Sequence, residues 1–219
     1  MHDIALSFDN GPDSATTPQV LDALAGREIP ALFCVLGERL ARPELRRLAE
    51  RAHAEGHWLA NHTYTHSVPL GRVEDPERVR REIDLTQELL GELVHPDRLF
   101  RPFGGGGHLD ERLLNETAVD HLVAGGYTVV TWNAVPGDWK DPDGWLPRAL
   151  EMCRAEEHVL LVLHDLPTGA MAHLETFLDT ALDEGARFVR ELPEACTPIV
   201  RGEVVGPLDG LVSDTGSRA

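Results

Sequence analysis

Asp9-Asn10 and the pair His62 and His66 are the side chains of this chain best suited to chemistry. The histidines are four positions apart, so on one helical turn, or in a tight loop, both imidazoles can reach a single ion. Asn10 and Asp9 add an amide oxygen and a carboxylate at a separate place in the chain. Two imidazoles and one oxygen ligand leave positions open for water and substrate, as a catalytic divalent ion requires. Arg101, Asp138 and His164-Asp165 bring further charge and proton-transfer capacity. Together these groups suit a catalytic metal site with titratable side chains around it.

The elements that must position them follow from periodicity. Short apolar runs at Ile4–Phe8, Ala31–Leu36, Trp58–Ala60, Leu99–Phe100, Tyr127–Trp132, Val159–Leu163 and Arg187–Arg190 predict strands. Between them, residues 17–24, 43–55, 76–93, 110–124, 143–155 and 170–184 predict helices, with Pro18, Pro43 and Pro76 in first turns. Strands that alternate with helices give an α/β fold with a mainly parallel sheet. Periodicity alone fits either a barrel or an open doubly wound sheet. The chemical residues follow successive strand ends, where parallel α/β folds build their sites.

Composition narrows the function. The 219 residues are 42% hydrophobic and carry a net charge of -17, from 20 basic and 37 acidic side chains. That charge argues against nucleic acid and anionic membranes as partners and disfavours a polyanionic substrate. No apolar run is long enough to cross a bilayer. The opening MHDIALSFDN has no basic segment followed by an apolar stretch, so a cytoplasmic location is expected. Cys34, Cys153 and Cys196 form no CxxC pair and are expected as buried thiols. Residues 1–200 read as one catalytic domain, and 201–219 as a loosely ordered tail rich in Gly, Asp and Ser.

In order along the chain stand Ser7-Phe8-Asp9-Asn10-Gly11-Pro12, His62-Thr63-Tyr64-Thr65-His66, Arg101-Pro102-Phe103-Gly104, Asp138-Trp139 and Leu161-Val162-Leu163-His164. This series, from residue 3 to about 190, resembles the polysaccharide deacetylases of the NodB-homology family. The resemblance implies a distorted (β/α) barrel of about seven parallel strands. It implies hydrolysis of an N-acyl group, most plausibly N-acetyl, on an amino sugar or a small or oligomeric N-acylated carbohydrate. It places Asn10, His62 and His66 at the positions that hold one divalent ion, zinc first, with cobalt, nickel or manganese as alternatives. Asp9 takes the place of the general base and Arg101 of its partner. His164 takes that of the general acid, with Asp138 raising its pKa. A backbone N–H near Phe103 is a candidate oxyanion donor, Phe103 and Gly104 line the substrate site, and Trp139 and Leu163 wall a pocket for an acyl methyl.

The sequence departs from the family pattern in three places. Asn10 stands where the relatives have a metal-binding Asp, which predicts a working but weaker ion site; a metal-free relative or a catalytically dead binding protein are the alternatives. Val135 stands where relatives often carry an Asp, so a contact to Arg101 is expected to be lost. The four glycines Gly104–Gly107, ahead of the helix expected over 110–124, suggest either an anion-binding helix start or a flexible loop. The rival functions are a ureide or imide amidohydrolase, and a non-catalytic carbohydrate-binding pseudoenzyme. The sequence leaves oligomeric state open.

Overall fold

The computed structural model describes residues 2–213. The chain order is β1 (Asp3–Gly11), α1 (Thr16–Ala25), β2 (Leu32–Val35), α2 (Gly37–Leu40), α3 (Pro43–Ala54), β3 (Trp58–Asn61), α4 (Pro76–Leu90), β4 (Leu99–Phe100), β5 (Leu114–Asn115), α5 (Glu116–Ala124), β6 (Thr128–Val129), α6 (Trp145–Ala155), β7 (His158–His164), α7 (Leu174–Asp183), β8 (Arg187–Val189), β9 (Ile199–Val200), β10 (Glu203–Val204) and β11 (Val212–Ser213). The main sheet runs β10-β9-β6-β4-β3-β2-β1-β7, with β8 also paired to β1. All its pairings from β6 to β7 are parallel. The sheet curls until Ala134, just past β6, bridges Leu161 of β7. The expected barrel of parallel strands is therefore present in strongly distorted form.

Alternation along each strand sorts side chains between two layers. Ile4, Leu6 and Phe8 of β1, Phe33 and Val35 of β2, and Leu161 and Leu163 of β7 point outward, into a core shared with α1, α3, α6 and α7. Ala5, Leu32, Cys34, Ala60, Leu99 and Leu160 fill the barrel interior. Continuing the inward rows toward the strand ends brings Ser7, Asp9 and Arg101 above that apolar floor. The floor residues are all apolar, so the polar layer above them is cut off from water on its inner side. Cys34, Cys153 and Cys196 are free and buried.

Two expected elements differ. The helix expected from residue 110 starts only at Glu116, because the buried Asn115 side chain accepts the Ala118 N–H at 2.9 Å and caps it. Leu114 and Asn115 instead pair with Val212 and Ser213. The helix start is thereby capped and removed from the glycine loop, so it supplies no anion site there. The expected loose tail is also structured as far as it is described. Glu203–Val204 pairs with β9, Val212–Ser213 pairs with β5, and the Ser213 hydroxyl donates to the Gly71 carbonyl at 2.7 Å. Residues 214–219 lie outside the described residues. No helix among the described residues is long and apolar enough to cross a membrane.

Candidate active site

At the end of β1, Asp9 and Arg101 form a buried ion pair. Arg101 is fully buried and donates to the two Asp9 carboxylate oxygens at 3.1 and 3.3 Å and to Ser7 Oγ at 3.3 Å. Burial pushes the Asp9 carboxyl up, but Arg101, followed by His62 and His164, pulls it below the ordinary aspartate value. Asp9 is thus an anion held in one orientation. Arg101 Nε has no hydrogen-bond partner, and Val135, which could offer it none, lies in the cavity wall. Asn10 adopts a left-handed backbone (φ 72°), uncommon for a side-chain-bearing residue, and its buried Oδ1 has no hydrogen-bond partner. Gly11 follows for a steric reason. A Cβ there would lie 2.2 Å from the Asp165 carboxylate, which is buried beneath the turn and accepts from Thr17 Oγ1 at 2.5 Å. Burial raises the Asp165 pKa to about 7.

His62 and His66 sit in a tight loop rather than on a helix, with Thr63 (φ 67°) and His66 (φ 52°) left-handed. Their ring centroids are 4.7 Å apart. His62 Nδ1 lies 2.8 Å from the Arg101 carbonyl, which as an acceptor fixes the proton on that nitrogen and leaves Nε2 with its lone pair. Nε2 is 3.7 Å from Asp9 Oδ2. Burial lowers both histidines, and with the neighbouring His62 it takes His66 to about 3, so both rings are neutral near pH 7.

The sequence reading missed the group that holds this loop. Glu82 of α4 accepts the N–H groups of Tyr64 and Thr65 at 3.0 and 2.8 Å and the Thr65 hydroxyl at 2.7 Å. Asn61 Oδ1 accepts the Thr63 N–H at 3.0 Å. The signal was present in the helical phase: Glu82 falls on the buried stripe with Val79, Ile83, Thr86 and Leu90. A carboxylate on that face needs a set of donors. Glu82→Ala is expected to weaken divalent-ion binding by roughly 10-fold, within the range seen when the groups behind metal ligands are removed. Isothermal titration with zinc checks it; an unchanged affinity would mean the loop holds its shape unaided.

Across the cavity, His164 ends β7. Its Nδ1 and its N–H contact the two oxygens of the fully buried Asp138, each at 2.9 Å. Burial lowers the His164 pKa, but the Asp138 hydrogen bond and the charges of Asp138, Asp9 and Asp165 outweigh it and raise it above the usual value. Trp139 packs edge-on against the His164 ring at 4.5 Å, and Phe103 packs against His66 with centroids 3.7 Å apart. Asp9, Asn10, His62, His66, Phe103, Gly104, Trp139 and His164 share one cavity of about 140 Å³. Gly104 has no room for a side chain, since a Cβ would come within 2.3 Å of the Trp132 ring.

Leu163 is not part of this wall. It points outward into the helix-covered core, and the inward residue of β7 is Val162, which lines the cavity with Trp132, Val135 and Leu166. Because His164 points inward, alternation turns its neighbour away.

The donors fit a divalent ion. Asn10 offers an orphaned buried oxygen, and His62 offers a lone pair on a ring fixed from behind. Among the described residues no three His, Cys, Asp or Glu side chains gather as a ligand set, so an ion here would depend on the Asn10 amide.

Residues 2–130 match the family described as polysaccharide deacetylase. The peptidoglycan-N-acetylglucosamine deacetylase PgdA of Listeria monocytogenes is 27% identical over 85% of this chain; the chain spans 37% of that relative's length. A family 4 carbohydrate esterase from Streptomyces lividans, solved with acetate, superposes with a TM-score of 0.73 at 25% identity, over 94% of this chain and 98% of its own. A family 4 acetyl xylan esterase from Clostridium thermocellum, solved with a cobalt ion, shares the fold with a TM-score of 0.69 at 23% identity, over 85% of this chain and 87% of its own. With its ordered motifs on the expected strand ends and a match over more than half its length, the chain belongs to the polysaccharide deacetylase family.

Proposed function

We propose that this protein removes N-acetyl groups from the amino sugars of a glycan or chitooligosaccharide. We further propose that Asn10, His62 and His66 hold a divalent ion, zinc by preference, with cobalt, nickel or manganese as substitutes. One observation carries the reading. A buried carboxylate–guanidinium pair and a buried imidazole–carboxylate pair face one cavity, whose remaining polar edge is two neutral imidazoles and an unpartnered amide oxygen.

When bound, the ion supplies Lewis acidity, polarising the acetyl carbonyl and lowering the pKa of a water molecule. The Asp9 carboxylate, kept ionised by Arg101, accepts a proton from the attacking water. His164, whose Nδ1 is engaged by Asp138, has Nε2 free to protonate the departing amine nitrogen as the C–N bond breaks. Trp139, Val162 and Leu166 exclude bulk water, which strengthens each charge interaction in the cavity. The base is shifted down and the acid up, so both are in their working forms at the same pH.

The pH profile follows with a definite sign. The rate rises with pH as Asp9 ionises, at a value below that of ordinary aspartate. It falls as His164 loses its proton, at a value above that of ordinary histidine. Asp138→Asn removes the leading raising influence, so the falling limb of kcat/KM is expected to move to lower pH. An unmoved limb would assign it to another group.

A second reading, a glycan-binding protein with little turnover, is favoured by the uncharged Asn10. Acetate release from chitotetraose separates the two. Protein stripped with a chelator should be inactive and should regain activity with zinc or cobalt. Tight chitotetraose binding without acetate release under any of the four ions would establish the second reading.

A further inference from the structure

We propose that Asp165 is a positioning residue, which through Thr17 and the Gly11 backbone holds a bulge that turns Asp9 and Asn10 into the same cavity; this rests on the base and ligand roles proposed above. Consecutive strand residues point to opposite faces, yet Asp9 and Asn10 both line the cavity. The reason is a break in register. Asp9 pairs with Cys34, and Gly11 pairs with the next β2 residue, Val35, so Asn10 is an extra residue on β1. Bulges of this kind bend a strand and re-aim a side chain. The left-handed backbone of Asn10 is where the bend is made. A residue with a side chain keeps that conformation only where its surroundings over-determine it.

Asp165 supplies the support on one side. β1 and β7 pair Asp9 with His164, so Asp165 falls beside the bulge. His164 points into the cavity, and alternation turns Asp165 away from it, fully buried. Asp165 therefore touches no reacting group. Both its oxygens press against Gly11, since a Cβ there would meet Oδ2 at 2.2 Å and Oδ1 at 2.3 Å. Thr17, buried in the first turn of α1, donates from Oγ1 to Asp165 Oδ2 at 2.5 Å. The same Oγ1 accepts the Asp13 N–H at 2.7 Å. One carboxyl thus ties the ends of β1 and β7 to the start of α1. On the other side, the Gly11 carbonyl accepts the Leu36 N–H at 3.1 Å, and the Pro12 carbonyl accepts from Arg39 at 3.0 Å. Asp165 Oδ1 is buried with no hydrogen-bond partner, so an apolar side chain would fill this space at lower cost. What an apolar side chain lacks is an acceptor for Thr17. Oδ2 accepts from Thr17 whether the carboxyl is ionised or protonated, so the hold does not depend on its charge.

The test measures zinc affinity by isothermal titration and acetate release from chitotetraose on folded variants. Thr17→Val keeps the side-chain shape and removes the hydroxyl. Thr17→Val and Asp165→Ala are each expected to weaken zinc binding roughly 10-fold and to lower kcat at saturating zinc by a similar factor, the range for groups that orient metal ligands. KM for chitotetraose should not move, because neither residue lines the cavity. Thr17→Ser keeps the donor and Asp165→Asn keeps an acceptor, so both should behave as wild type. The double variant Thr17→Val/Asp165→Ala should lose no more than either single one, since each breaks the same contact. Urea unfolding exposes a merely structural role: lower stability with zinc affinity and kcat unmoved overturns the proposal. A loss in Thr17→Ser equal to that in Thr17→Val overturns it as well. If Asp165→Ala does not fold, the two Thr17 variants decide. Unmoved variants of a wild type that binds zinc and releases acetate overturn this proposal alone. A wild type that does neither overturns it together with the reading it rests on.

Discussion

Asp9→Asn is expected to lower kcat by roughly 10²- to 10⁴-fold, the range for loss of a positioned general base. The change keeps the shape of the side chain, so the cavity is preserved while the proton acceptor is lost. It has a second consequence. Arg101 is fully buried above an apolar floor, and Asp9 is its ion-pair partner. Removing one charge of a buried pair leaves the other uncompensated and costs about 3–5 kcal/mol. Urea unfolding should show that loss. The double variant Asp9→Asn/Arg101→Met should recover part of the stability and none of the activity, which separates the two roles of the carboxylate. Activity within tenfold of wild type in a folded Asp9→Asn protein would remove Asp9 as the base.

Asn10→Asp is expected to tighten divalent-ion binding by roughly 10- to 100-fold, because the number of charged ligands sets affinity at oxygen-bearing sites. The oxygen is already in place: Asn10 Oδ1 is buried without a partner on a left-handed turn that fixes its direction. A carboxylate also donates more charge to the ion and lowers its Lewis acidity, so turnover per bound ion should fall although affinity rises. Isothermal titration of both proteins with zinc measures the first effect, and acetate release at saturating zinc measures the second. Equal affinities would take Asn10 out of the ligand set.

The sequence made the strand ends legible because each strand is a short apolar run that stops at polar residues, and those residues converge on one face of a parallel fold. Asp9, Asn10, His62, His66, Phe103, Gly104, Trp139 and His164 accordingly line one cavity, with Arg101 and Asp138 directly behind it. Leu163 was misplaced because a continuous apolar run hides which residues point inward; the inward His164 sets the alternation and puts Val162 in the wall. The start of α5 was misplaced because Asn115 acts as a cap, a role that competes with helix interior only through its local hydrogen bond. The strands within 201–213 were missed because Glu203–Val204 and Val212–Ser213 are too short to show a period and exist through pairing with distant residues. Glu82 was missed because its partners are backbone N–H groups of another loop, which no residue type announces.

The central claim is that one divalent ion sits on Asn10, His62 and His66 between the two buried acid–base pairs. A crystal of the cobalt-loaded protein with acetate, with anomalous data collected at the cobalt edge, tests it most directly. The account predicts a single strong peak shared by the Asn10 amide oxygen and the two imidazoles, with acetate in the cavity beside His164. A peak elsewhere, or none in protein that releases acetate, would contradict it.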